Sequence, residues 1–379
     1  MINFVEWHVA LLDDRTRIAA YEWAIAATVK PGDVVVDLGA GTGVMGLLAC
    51  RAGASRVYAI EGDGMIEMVR RIAGANGFGD RIVAVYGDSR HIDLPERADV
   101  AIADQIGPLG IGGGLFAIFN DARRRFLKPD GVTIPARLAL SVALAEYPEG
   151  FAPIEFWEVP RLGFDMTAMR DVARNVGYET RITASQLLSA PAQVLNFNPA
   201  RSYAETSAGS VTLIATRAGT LCGLFGFFSA ELAPGVFISN SPLGADLIDR
   251  RVWFMPFERA IALEAGDSAT VTLHMMPAEE TVTWRAEVVG RDGAAKGKFT
   301  HSTIKGKLVA QEALRPLRPD YIPRLTPRGE IDRAVLGLCD GVRGVRQIAQ
   351  ELSRFFPDRF SGPEEAEMAV LRTIGGRAE

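Results

Sequence analysis

The sequence predicts an α/β protein: a Rossmann-like doubly wound parallel sheet, then an antiparallel β-barrel or sandwich, then a small helical domain. Three observations predict it. From Val34 to about Arg137, short apolar runs alternate with helical patterns, which is how a parallel sheet covered on both faces reads. Residues 140–310 hold many short β-rich pieces separated by turn residues, which suits antiparallel pairing. Beyond a proline-bearing stretch ending at Pro319, three helical patterns close the chain. The expected organisation is a helix over 1–30, the Rossmann-like domain over 31–138, the β-domain over 139–312, a linker over 313–324 and a helical domain over 325–379.

The elements follow in order. Tyr21, Trp23, Ala24 and Ile25 give the first helix an apolar face, and Pro31-Gly32 stops it. Val34–Leu38, Val57–Ile60, Ile82–Tyr86 and Val100–Ala103 read as buried strands, with Met45–Ala52, Gly64–Ala75 and Leu115–Leu127 as the helices between them. In the β-domain the clearest strands are Ser210–Ile214, Leu221–Phe228, Arg251–Phe254, Thr270–Met275 and Thr281–Val289. Gly329–Leu338, Val345–Phe355 and Pro363–Ile374 read as the closing helices.

Composition narrows the function classes. Among 379 residues, 48% are hydrophobic and 23% charged, the balance of a globular chain. A net charge of −5 argues against a broad nucleic-acid-binding face. The three cysteines, Cys50, Cys222 and Cys339, stand far apart, and the histidines show no ligand spacing, so neither disulfides nor a metal site is expected. No apolar run reaches membrane-spanning length, and the acidic N-terminus is unlike a signal peptide. A cytoplasmic protein without membrane partners is expected.

The strongest local signal is Val34-Val35-Val36-Asp37-Leu38-Gly39-Ala40-Gly41-Thr42-Gly43, a buried strand ending in an acid and running into a glycine-rich turn before a helix. Gly39 and Gly41 let the backbone pass close to a ligand at the carboxyl end of the strand. GxGxG, with an acid two residues before the first glycine, suits S-adenosylmethionine (SAM) better than a dinucleotide, whose loop is GxGxxG. Asp37 is placed for the cationic amino group of the methionine moiety. Glu61 ends the next strand 18 residues after Gly43, where a carboxylate accepts from both ribose hydroxyls. Asp88 and Ser89 end the third, where Asp88 is placed to accept from the adenine amino group. The glycine spacing disfavours a dehydrogenase.

Together these residues resemble the protein arginine methyltransferase family over about 300 residues. His8 to Arg17, followed by Tyr21, looks like that family's N-terminal lid helix, and the resemblance implies that Arg17 pairs with the SAM carboxylate. Phe126-Leu127-Lys128-Pro129-Asp130-Gly131 and Gly163-Phe164-Asp165-Met166 look like the family's domain junction. The resemblance implies that the β-rich stretch is the barrel with its dimerisation element, and hence a homodimer. Two motifs depart. The family's two hairpin glutamates, which grip the substrate guanidinium, correspond to Gln105 and to about Gly113 or Gly114; its Thr-His-Trp loop corresponds to about Leu247-Ile248-Asp249. A neutral glutamine does not balance a guanidinium and glycine offers no side chain, so arginine methylation by that route is not expected. The glycine run suggests a wider or more mobile mouth. Asp104, His8 and Asp249 are the candidates to bind a polar acceptor or act as general base.

Residues 325–375, with Leu338-Cys339-Asp340-Gly341 and Ile348-Ala349-Gln350-Glu351-Leu352, resemble the small winged-helix domains that bind leader peptides in pathways to ribosomally made, modified peptides. The other reading is a helical cap on the barrel. The leading expectation is a SAM-dependent methyltransferase acting on a peptide or protein, in such a natural-product pathway, with the C-terminal module recruiting the substrate. A small-molecule methyltransferase and a non-catalytic SAM-binding protein are the alternatives.

Overall fold

The computed structural model describes residues 4–199, 206–244 and 247–375; the first three residues of the expected lid and the last four of the C-terminal domain lie outside them. The N-terminal segment is two helices, α1 (Phe4–Asp13) and α2 (Arg15–Thr28), where one was expected. Asp14 makes the break: its carboxylate accepts from Arg17 N at 3.1 Å and caps α2, an arrangement Asp favours over continuing a helix.

Five parallel strands follow: β1 (Val34–Leu38), β2 (Arg56–Glu61), β3 (Ile82–Tyr86), β4 (Ala98–Ala103) and β5 (Leu127–Ile134). They lie in the order β3-β2-β1-β4-β5, with α3 (Val44–Ala52), α4 (Met65–Ala75) and α5 (Leu115–Arg125) between them. The chain direction across the sheet reverses between β1 and β4, so the carboxyl ends of β1 and β4 flank a crevice there. Every residue of β1 is buried, which is why this strand reads as an unbroken apolar run rather than an alternation.

The β-domain is antiparallel and built from two sheets. One holds β6 (Arg137–Ala145), β7 (Tyr178–Thr180), β8 (Ala192–Phe197), β10 (Gly219–Ala233), β11 (Val236–Ser239) and β12 (Val252–Leu263); the other holds β9 (Ser207–Ile214), β13 (Ser268–Met276), β14 (Thr281–Val289) and β15 (Ala295–Ser302). The strands are longer than their sequence signals. β10 runs 15 residues because nearly its whole central stretch, Leu221–Phe228, is buried, so alternation does not mark its ends. Parallel sheet and β-domain share one continuous core, running from Tyr21 and Val35 through Leu109 and Leu138 to Met255 and Trp284.

The chain divides into two compact units, 1–308 and 309–379. The second holds α6 (Pro327–Leu338), α7 (Val345–Phe355) and α8 (Pro363–Ile374) around a core of its own, with Val335, Leu352, Ala366 and Val370 fully buried. Among its described residues there is no strand, so no hairpin wing is present there; a short helix, Gln311–Leu314, precedes the three that form its core. Among the described residues no helix is long and apolar enough to cross a membrane.

Candidate active site

The carboxyl ends of β1, β2 and β4 open into a cavity of about 890 Å³ that also takes residues from α1 and from the β-domain. That is within the range of small-molecule sites, roughly 300–1,000 Å³.

At the β1 end, Gly39 and Gly41 adopt φ of 70° and 54°, the left-handed region that favours glycine. A methyl group on Gly41 would sit 2.9 Å from His8 Cε1, so the lid residue closes directly on the glycine loop. Asp37 is 2% exposed; its Oδ2 accepts from Gly46 N at 3.0 Å, and burial lifts its carboxyl to about 7. Glu61 Oε2 accepts from Gly41 N at 2.8 Å and Oε1 from Gly62 N at 2.7 Å, so the acid at the end of β2 fixes the loop after β1.

Arg17 lies beneath the lid, 2% exposed, ion-paired to Asp104 at the end of β4 and donating to Leu11 O. Burial pulls its guanidinium below the usual arginine range. Its Nε, Asp104 Oδ1 and Gln105 Oε1 are buried without partners, and all three residues line the cavity. Buried polar atoms are ordinarily satisfied, so these three face the place of a polar ligand. With the open glycine turn and the acid of β2, they fit SAM: Arg17 for its carboxylate, Glu61 for its ribose.

Two expected cofactor residues are not brought in. Asp88 and Ser89 do not line the cavity. Asp88 caps the turn after β3, accepting from Arg90 N at 2.9 Å and pairing with the Arg90 guanidinium at 2.6 Å; that pair holds its carboxyl at about 2. Ser89 is buried, with its carbonyl bound by Arg125.

The acceptor side differs more from expectation. Asp249 is outside the cavity: it pairs with Arg181, which lowers its carboxyl pKa, and its N–H donates to Asp14 Oδ2 at 3.0 Å. It lines a separate cavity of about 500 Å³. Asp104, bound to Arg17, is committed as a counter-ion rather than placed as a free base. The glycine run is not slack. Gly110, Gly112, Gly113 and Gly114 all have positive φ, and a methyl group on Gly112 would sit 3.1 Å from Gly107 Cα, so the loop is a tight coil only glycine can form. The fully buried amide of Asn240 staples this loop to the β-domain, donating to Pro108 O and Arg251 O at 2.7 and 2.8 Å and accepting from Phe228 N at 2.7 Å.

Sequence reasoning missed Trp7, Asp63, Glu179, Arg250, Trp253 and Glu280, which all line the cavity. Arg250 Nη1 donates to Ile106 O at 2.7 Å, and burial lowers its pKa, with Glu179 among the acids opposing that shift. Glu280 comes from the turn before β14 and accepts from Gly114 N at 2.7 Å. Six carboxylates (Asp37, Glu61, Asp63, Asp104, Glu179, Glu280) therefore face two guanidiniums, Arg17 and Arg250.

The comparisons with known proteins bear on this geometry. The TRM5/TYW2 methyltransferase domain matches residues 2–108. An arginine N(omega)-methyltransferase of Streptomyces achromogenes subsp. streptozoticus is 29% identical over 279 residues, 72% of this chain and 76% of that protein. A probable protein arginine N-methyltransferase 6 of Arabidopsis thaliana is 31% identical over 45% of this chain and 40% of its own length. The Trypanosoma brucei PRMT1 enzyme-prozyme heterotetrameric complex with AdoHcy supplies a structural neighbour, with TM-score 0.69, 19% identity and coverage of 78% of this chain and 97% of that one. The chain is a SAM-dependent methyltransferase. It is similar in sequence to arginine methyltransferases, and an open-conformation Arabidopsis thaliana protein arginine methyltransferase 10 shares the fold, with TM-score 0.67 and 20% identity. In this methyltransferase, as the residues above place it, the matched domain carries the cofactor end of the cavity, while Glu179, Arg250, Trp253 and Glu280 lie beyond that match.

Proposed function

We propose that the enzyme transfers the SAM methyl group to a basic nitrogen of a peptide or protein acceptor. The observation that carries this is the cavity's charge: Arg17 is paired with Asp104, and the other guanidinium, Arg250, is outnumbered by Glu61, Asp63, Glu179 and Glu280 in the lining. An acid-lined cavity favours a cation over a neutral or anionic acceptor. The hairpin glutamates are absent, but the cavity is not without acid, and this reopens the guanidinium as acceptor.

SAM, when bound, supplies a sulfonium-activated methyl group. The protein's part is alignment. Arg17 anchors the methionine carboxylate, Glu61 the ribose, and the coiled loop 107–114 fixes the wall against which the acceptor lies. Transfer to a guanidinium nitrogen would leave the sulfur with the bonding pair and release one proton to solvent, whereas an ammonium acceptor would have to lose its proton first.

The C-terminal unit 309–379 serves substrate recruitment in this reading, as expected of a peptide-pathway enzyme, and the barrel-bearing unit pairs as a homodimer. The Streptomyces relative, whose name specifies arginine rather than protein arginine, supports a second reading in which the acceptor is the free amino acid. Labelled SAM offered with arginine-, lysine- and glutamate-bearing peptides, a precursor peptide encoded beside the gene, and free L-arginine tests these together. Transfer to a basic nitrogen, falling for the peptides when the chain is ended at Leu308, is expected; transfer to a carboxylate contradicts the proposal, and transfer to free arginine alone selects the second reading.

A further inference from the structure

We infer that Glu280 is the acceptor-gripping carboxylate of this enzyme, delivered from the β-domain to the place where the hairpin carries glycine. The inference rests on the basic-nitrogen reading above and names the residue that carries it.

Glu280 lies 166 residues from Gly114 in sequence, yet its Oε1 accepts from the Gly114 N–H at 2.7 Å. The resemblance places the second hairpin glutamate at about Gly113 or Gly114, and there a carboxylate reaches the loop backbone from the turn before β14 instead. The turn bears a cost for this. Glu280 has φ 50°, one of two non-glycine residues with positive φ among the described residues. Glutamate is not a usual occupant of that backbone region, and such strain collects at functional sites. Among the described residues no lysine or arginine pairs with Glu280, and its second oxygen has no protein partner, while the residue lines the cavity.

Glu280 thus presents a charged acceptor to the cavity. A guanidinium carries five N–H donors in one plane and no acceptor, so it pairs with this carboxylate and is neutralised by it. Glu280 is accordingly a positioning residue for the acceptor rather than a proton-transfer group.

The test uses full-length enzyme with a glycine-arginine repeat peptide as acceptor and S-adenosylhomocysteine as the cofactor-site probe. Glu280→Gln retains an oxygen for Gly114 N–H and removes only the charge. The expected result is a KM for the peptide raised about tenfold or more, with kcat changed less than threefold and S-adenosylhomocysteine affinity within twofold. Glu280→Asp, whose carboxylate is one methylene shorter, is expected to fall between the two. An unchanged KM in Glu280→Gln, with the wild type active on the peptide, reduces Glu280 to a loop clasp and leaves the basic-nitrogen reading standing. A wild type that binds S-adenosylhomocysteine but methylates only glutamate-bearing peptides overturns both.

Discussion

The cofactor end and the acceptor end of the cavity are built in different ways. Asp37, Gly39, Gly41 and Glu61 come from two adjacent strand ends within 25 residues, held by bonds between neighbours such as Gly41 N–H to Glu61. Gln105, Glu179, Arg250, Trp253 and Glu280 come from four separate segments spread over 176 residues, and only the packing of the β-domain on the sheet brings them together. The first is a local motif on a parallel sheet; the second is a product of topology. Fold-level likeness therefore speaks firmly about the first and weakly about the second.

The largest expected effect lies where the two ends meet. Arg17→Ala removes the group proposed to anchor the cofactor carboxylate and leaves Asp104 a largely buried, unpaired charge. Breaking such a pair costs about 3–5 kcal/mol. Calorimetric titration with S-adenosylhomocysteine is expected to show affinity weakened by roughly 100-fold, together with a lowered Tm. Near-normal affinity in this variant breaks the cofactor half of the comparison. Glu61→Gln sharpens it with a smaller change: losing the charged acceptor of the ribose, and of Gly41 N–H, is expected to cost about 1.5–3 kcal/mol, or at least about tenfold in cofactor affinity. The same titration on Glu280→Gln is expected to show no change, because that residue belongs to the other end.

A subtler effect concerns pH. Buried Asp37 keeps its proton to about 7, far above an exposed aspartate. The folded protein thus holds a proton that the unfolded chain has already released near pH 4, so this group makes the fold less stable as pH rises from about 4 to 7 and carries its full penalty above 7. Asp37→Asn, which still accepts from Gly46 N–H, removes the titration. Thermal melts of the apo-protein at pH 5 and pH 8 are expected to differ by less in Asp37→Asn than in the wild type. Equal pH sensitivity shows that other groups set it.

This contrast also explains what was legible in the sequence. The five-residue apolar run of β1, the acid at its end and the glycines after it are a single continuous signal, because a strand buried on both faces leaves no polar interruption. Asp37 and Glu61, read from the strand ends, and Arg17, implied by the family resemblance, all line the cavity. Asp88 was at the right strand end, but Arg90 two residues on turns its carboxylate into a cap. Asp249 was one residue away from the group that faces the cavity. Arg250 lines both cavities and Asp249 only the smaller, because successive residues of a non-helical segment point to different sides. Glu280 had no local signal at all: nothing near it in sequence resembles a site, and its partner is a bare backbone N–H 166 residues earlier. The helices of the C-terminal unit were legible from their periodicity, and α7 packs Ile348, Ala349 and Leu352 on one face.

The most direct test of the central claim compares two acceptor peptides of the same length that differ only in arginine against citrulline, which replaces the cationic guanidinium with a neutral urea of nearly equal shape. With full-length enzyme and saturating SAM, the account predicts methyl transfer to the arginine peptide and at least about a hundredfold less to the citrulline peptide. Equal transfer to both, with the methyl group mapped away from the side-chain nitrogen, would contradict it.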